Sequence, residues 1–200
     1  MALAEKLGKA MVQLSPEQTS DLEFEYAGDC TKYADVLTDG ILKGIVGEYV
    51  DDSINLINAR VYADERGFEI KEVTSNKTKT FADLITIKIP KNKTYKSISA
   101  TLFGDGDYRI VDIDGYRLEL RLEGDILLYQ NEDKPGMLAA VSGALAKDSI
   151  NIGSLSLGRA AKGSSAITAV SVDRQLSEAE LKNIEAMDGI QELRFISLGE

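Results

Sequence analysis

Histidine and tryptophan are absent from the 200 residues, and cysteine occurs once, at Cys30. Without histidine there is no Ser-His-Asp triad, no Cys-His pair and no imidazole ligand for a metal. One cysteine supplies no disulfide framework, no thiolate zinc site and no iron–sulfur ligand set within the chain. It fits a reducing compartment. Basic residues are in deficit: 23 Lys and Arg stand against 33 Asp and Glu, for a net charge of −10. Phosphate neutralisation needs clustered cations, so the charge argues against a nucleic-acid binder and against an anionic membrane surface. Long apolar runs are missing too. The opening MALAEKLGKAMVQL is a charged amphipathic pattern rather than a secretory leader, and no stretch reaches the length of a membrane span. The expectation is a soluble cytoplasmic protein. What is present is ordinary: 44% apolar and 28% charged residues, enough to pack one large core or two small ones.

Apolar residues at steps of three and four (Leu3, Leu7, Ala10, Met11, Leu14) predict a helix over 2–14, stopped by Ser15-Pro16. Leu22, Phe24 and Tyr26 alternate with acids and predict a strand. Residues 31–50 predict a second helix, in which Gly40, Gly44 and Gly47 form one row. Interior glycines cost roughly 1 kcal/mol each against alanine, so the close approach of another backbone is expected there. Residues 53–66 read as a short strand and then a helical turn. From 67 to 130 the pattern is of strands, with Asp114-Gly115 a hairpin signal. From 125 onward the order is β-α-β-β-α-β, the ferredoxin-like split pattern. Ser177 and Glu180 are spaced as a capping box, flanked by a Leu176–Leu181 staple. The fold class is α+β in two domains, parting at Glu123-Gly124: a mixed α/β domain over 19–124, preceded by a helix at 1–18, and a βαββαβ domain over 125–200.

Few residues carry chemistry. Asn131-Glu132-Asp133-Lys134-Pro135-Gly136 joins a strand to a helix start, and Asn151 precedes the next strand. A helix N-terminus attracts a carboxylate, Asp133 can hold an ammonium, and Asn131 and Asn151 offer directed amides. Together they suit an amino acid; plain capping by Asp133 and a turn at Asn151 is the other reading. Arg109, Arg117 and Arg121 lie on adjacent expected strands and could form an anion site, or could pair with Glu119 and Asp112. Asp105, Asp107, Asp112 and Asp114 miss the calcium-loop pattern, because Arg109 and Tyr116 stand where oxygen ligands are needed. No metal is expected. Gly104-Asp105-Gly106 lacks the third glycine and the following helix of a dinucleotide fingerprint. No nucleophile or cofactor motif supports catalysis.

The segment Leu128–Arg159 resembles an ACT domain, on Asp133-Lys134-Pro135-Gly136, Ile150-Asn151-Ile152 and Gly158-Arg159. Ser171-Val172-Asp173 and Met187-Asp188-Gly189-Ile190 also fit. In the front half, Glu25-Tyr26-Ala27-Gly28, Leu42-Lys43-Gly44, Val61–Gly67, Thr101-Leu102-Phe103-Gly104 and Arg109–Tyr116 resemble the intervening domain of the D-3-phosphoglycerate dehydrogenase family. The resemblance covers nearly the whole chain and implies its regulatory, C-terminal region. The family's NAD-binding and catalytic domains are not in this sequence, so no hydride transfer by this chain alone is implied and no cofactor within it, NAD belonging to the parent enzyme. The helix at 1–18 would be the end of the one leaving the catalytic body. The family's L-serine site, lying between two ACT domains, falls on Asn131, Asp133, Gly136 and Asn151. Asp133 would take the ammonium, Asn151 the carboxylate and hydroxyl region, and Gly136 would let the helix start approach. An anion or phosphorylated-substrate site (phosphate, phosphoglycerate or sulfate) falls on Arg109 and Arg121, with Ser171 where a further cation is expected. A homo-oligomer paired through ACT strands is implied. An iron–sulfur L-serine dehydratase β portion, a free-standing amino-acid sensor and a purely structural oligomerisation module are the alternatives.

Overall fold

The computed structural model describes residues 1–17, 20–50, 53–78, 80–91, 94–104, 106–159, 161 and 163–199. Asp105, one of the acidic residues weighed above, lies outside the described residues. By its contacts the chain divides into two compact units, Met1–Asp114 and Gly115–Glu200. The expected boundary at 123–124 falls inside the second.

The first unit is built from α1 (Ala2–Leu14), β1 (Asp21–Gly28), a 3-10 turn (Asp29–Tyr33), α2 (Ala34–Val46), α3 (Ala59–Glu65), β2 (Glu69–Ser75), β3 (Asp83–Lys91), β4 (Thr94–Phe103) and β5 (Asp107–Ile113). Its strands lie in the order β2-β1-β3-β4-β5. β2 runs parallel to β1 after the helical crossover, and the other neighbours are antiparallel. Leu22, Phe24 and Tyr26 are buried on one face of β1, as their alternation requires. The second expected helix is shorter than 31–50, because the 3-10 turn takes its first residues and turns take its last. Among the described residues of 53–66 there is no strand; a turn leads into α3.

α1 is a core helix of this unit, packed on α2, β3 and β4, with Ala4, Leu7, Ala10 and Met11 fully buried. The α2 glycines account for that packing. A Cβ at Gly44 would stand 2.1 Å from the Glu5 carbonyl oxygen, and one at Gly8 of α1 would stand 2.2 Å from that of Ile41. Gly47 is the C-cap of α2, outside that contact.

The second unit holds β6 (Tyr116–Arg121), β7 (Asp125–Glu132), α4 (Met137–Lys147), β8 (Ile152–Arg159), β9 (Ser165–Val172), α5 (Glu178–Glu185) and β10 (Ile190–Ser197). Its sheet has the order β10-β7-β9-β8, antiparallel throughout. With helices after the first and third of these strands, this is the ferredoxin-like arrangement. Leu127, Tyr129, Val170 and Leu193 meet Val141, Leu145 and Ile184 in the core beneath the helices. β6 packs against β8 and β9; the Glu119 amide donates to Ser156 Oγ at 2.8 Å, and the Tyr116 and Ser165 hydroxyls are bonded.

Candidate functional site

The β7–α4 loop places the expected amino-acid site. Asn131 is the last residue but one of β7, on the row that runs Asn131–Ala166–Arg159 across β7, β9 and β8. It is 4% exposed; its Nδ2 donates to the Glu132 carbonyl at 2.6 Å, and its Oδ1 is buried with no hydrogen-bond partner. A buried acceptor left unpaired costs about 1–3 kcal/mol.

Asp133 does not cap α4. The N-cap is Gly136, in the left-handed region at φ 95°, and no side chain caps the helix. A Cβ there would meet nothing within 4 Å, so glycine serves the backbone angle rather than making room. Asp133 instead spans the loop to the β8–β9 connection: Oδ1 pairs with Arg159 Nη2 at 2.9 Å, and Oδ2 accepts from the Gly163 amide at 2.8 Å. Arg159 and Gly163 as partners of Asp133 were missed by sequence reasoning. The pairing order β7-β9-β8 is the signal that finds them, since it sets the ends of β7 and β8 in one row.

Asn151 stands elsewhere. It precedes β8, donates from Nδ2 to Asp173 at 2.8 Å and accepts from the Asp173 amide. The neighbouring row is Asp125–Val172–Ile152. Six residues of β7 separate it from the row of Asn131, about 20 Å at strand rise. One copy of the unit therefore brings Asn131 and Asp133 together and holds Asn151 at the opposite end of the sheet.

The expected anion-site residues already carry carboxylate partners. Arg109 forks onto Asp107, Nε and Nη2 each at 2.8 Å, and its guanidinium lies 5.9 Å from the centroid of the Phe103 ring. Arg121 pairs with Glu123 at 3.2 Å. Arg117 is exposed, and Ser171 lies on β9 opposite Ile126. A surface cavity of about 370 Å³ in the first unit is lined by Asp21, Glu23, Glu69 and Lys71 among others. Its acidic rim disfavours an anion.

Burial, with Asp83 beside it, pushes the Cys30 thiol up, so it is no thiolate nucleophile. Among the described residues no three metal-ligating side chains cluster, and no helix is long and apolar enough to cross a membrane. Gly106 leads into β5 rather than a helix, so this glycine loop is not the strand–loop–helix turn of a dinucleotide fingerprint.

These features define an α+β class: a mixed α/β unit followed by a ferredoxin-like unit with a polar strand–helix loop. The family model of the D-3-phosphoglycerate dehydrogenase intervening domain matches residues 1–114, and that of the acetohydroxyacid synthase small-subunit-like ACT domain matches 127–192. The chain belongs to the D-3-phosphoglycerate dehydrogenase family, in the intervening and ACT domains of its C-terminal region. It is similar to the D-3-phosphoglycerate dehydrogenases of Bacillus subtilis (28% identity over 98% of this chain), Methanocaldococcus jannaschii (27% over 99%) and Synechocystis (26% over 99%). The chain spans 38%, 38% and 36% of those relatives' lengths.

Proposed function

We propose that this chain is the regulatory part of an NAD-dependent phosphoglycerate dehydrogenase, and that its second unit binds L-serine at a seam between two copies. Binding feeds back on catalytic domains of the same polypeptide. The observation that carries this reading is the separation of Asn131 and Asp133 from Asn151 by the length of the sheet. Antiparallel pairing of two β8 strands about a two-fold axis sets the Arg159 end of one copy beside the Asn151 end of the other. Asn131 and Asp133 of one copy then share a site with Asn151 of the second. Asp133 takes the ammonium, Asn151 the carboxylate and hydroxyl region, and the buried Oδ1 of Asn131 gains a donor.

β8 suits such a seam. It is the edge of its sheet, exposes Leu155 and Leu157, and carries no charge before Arg159. A seam that is tighter with serine than without it biases the domain arrangement by that difference in affinity. In the same reading Arg109 and Arg121 are the anion-binding side chains, each exchanging a carboxylate of its own chain for a phosphate or phosphoglycerate.

Calorimetric titration with L-serine, with D-serine and glycine as controls, tests the proposal. Stereoselective binding that disappears in Asn151→Ala is expected. No heat at millimolar L-serine overturns it.

A further inference from the structure

We infer that Arg159 is a built-in competitor for the effector's ammonium group, so that effector binding at Asp133 is an exchange of one cation for another. The inference rests on the amino-acid site proposed above and adds a residue that sets its affinity. Asp133 is the carboxylate proposed to take the ammonium, and its side chain is 12% exposed. One oxygen is engaged by the Gly163 amide at 2.8 Å, a donor fixed in the backbone. The other is engaged by the Arg159 guanidinium at 2.9 Å. With so little open surface, an incoming ammonium reaches Asp133 where the guanidinium now sits. Arg159 can leave: its side chain is 52% exposed in the single copy, and it stands at the last position of β8, where a ladder between two paired copies ends and the displaced guanidinium can swing out to water. Gly163 cannot leave in the same way, and it keeps the carboxylate aimed.

Exchange has two consequences. The attraction of ammonium for Asp133 is partly cancelled by the attraction given up, so the native chain binds more weakly than its charges suggest. Salt screens the lost pair and the gained pair alike, so binding is nearly independent of ionic strength. Removing the competitor changes both.

The test is calorimetric titration of L-serine into the native 200-residue chain, Arg159→Gln and Arg159→Lys, at low and high salt, with circular dichroism to show that each is folded. Arg159→Gln is expected to bind about two- to five-fold more tightly at low salt, the range a half-exposed ion pair supports. It is also expected to lose affinity as salt is raised, whereas Arg159→Lys keeps the native affinity and its flat salt response. Equal or weaker binding by Arg159→Gln overturns the inference while leaving the serine site standing. Absence of L-serine binding in the native chain and in Arg159→Gln overturns the site and the inference with it.

Discussion

Asp133 ties two connections of the fold together and is also the side chain proposed to hold the effector. Its carboxylate joins the β7–α4 loop to the β8–β9 connection through Arg159 and the Gly163 amide. Asp133→Ala is expected to weaken L-serine binding, as measured by calorimetry, by less than about 1.5–3 kcal/mol, the worth of a hydrogen bond to a charged group, because the Arg159 pair is given up in the native exchange. Asp133→Asn keeps an acceptor for Gly163 and is expected to lose the ammonium's charge partner while retaining the native melting temperature more closely than Asp133→Ala does. The positions of the proposed site residues were legible in the sequence, because Asn131 and Asp133 lie at a strand–helix junction and Asn151 precedes the next strand. Their partners were not. Arg159 lies twenty-six positions beyond Asp133 and Asp173 twenty-two beyond Asn151, and only the pairing of strands brings them together. The capping role considered for Asp133 fails because Gly136, with its positive φ, turns the chain into α4 after Asp133 has left the helix axis.

Elements were more legible than contacts, wherever a local rule sufficed. The Ser177–Glu180 spacing forms the full capping box of α5, Ser177 Oγ accepting from the Glu180 amide and the Glu180 carboxylate accepting from the Ser177 amide at 2.7 Å. The Arg174 guanidinium, with the Ser177 amide and hydroxyl, holds the Glu180 carboxyl down to about 2 from its ordinary 4.5. Because the folded state is the more acidic, the box's contribution is fully present above about 4.5 and is lost as pH falls toward 2. The melting temperature of the native chain is therefore expected to drop more steeply across that window than that of Glu180→Gln, in scans at stepped pH. Ser177→Ala is expected to cost about 1 kcal/mol in denaturant unfolding. The glycines of α2 were legible as a cost that needed a reason, and the reason is α1. Gly44→Ala forces a methyl group toward the Glu5 carbonyl and is expected to destabilise the first unit by about 3 kcal/mol, read from urea midpoints. The residues before α3 misled, since Ile54 and Leu56 alternate with Ser53 and Asn55. Ile57 is nearly fully exposed and Leu56 is exposed, so no face of that segment is buried to hold a strand in register.

The second unit, taken whole, leaves a surface that its own residues do not cover. α4 exposes Leu138, Ala139, Ala140, Gly143 and Ala146, and Lys147 is its only charge. Beside it, Leu155 and Leu157 pair across the ladder with Val170 and Thr168, and Val170 lies in the core beneath the helices. The two leucines therefore stand on the helix-covered side of the sheet, at its edge. Edge strands of lone sheets are usually blunted by charge, proline or a bulge along their length; β8 has an irregularity at its start and Arg159 at its end, with small and apolar residues between. A second copy of the same strand would satisfy the open backbone and cover the leucines together, and it is the arrangement that the proposed amino-acid site requires. Sedimentation velocity of the native chain is expected to give a dimer or a higher even assembly. The double substitution Leu155→Glu and Leu157→Glu places like charges on both sides of the seam and is expected to give a monomer with native circular dichroism and no L-serine binding. Retained serine binding in that monomer would mean that one copy carries a complete site, against the distance of about 20 Å that β7 sets between Asn131 and the row beside Asn151.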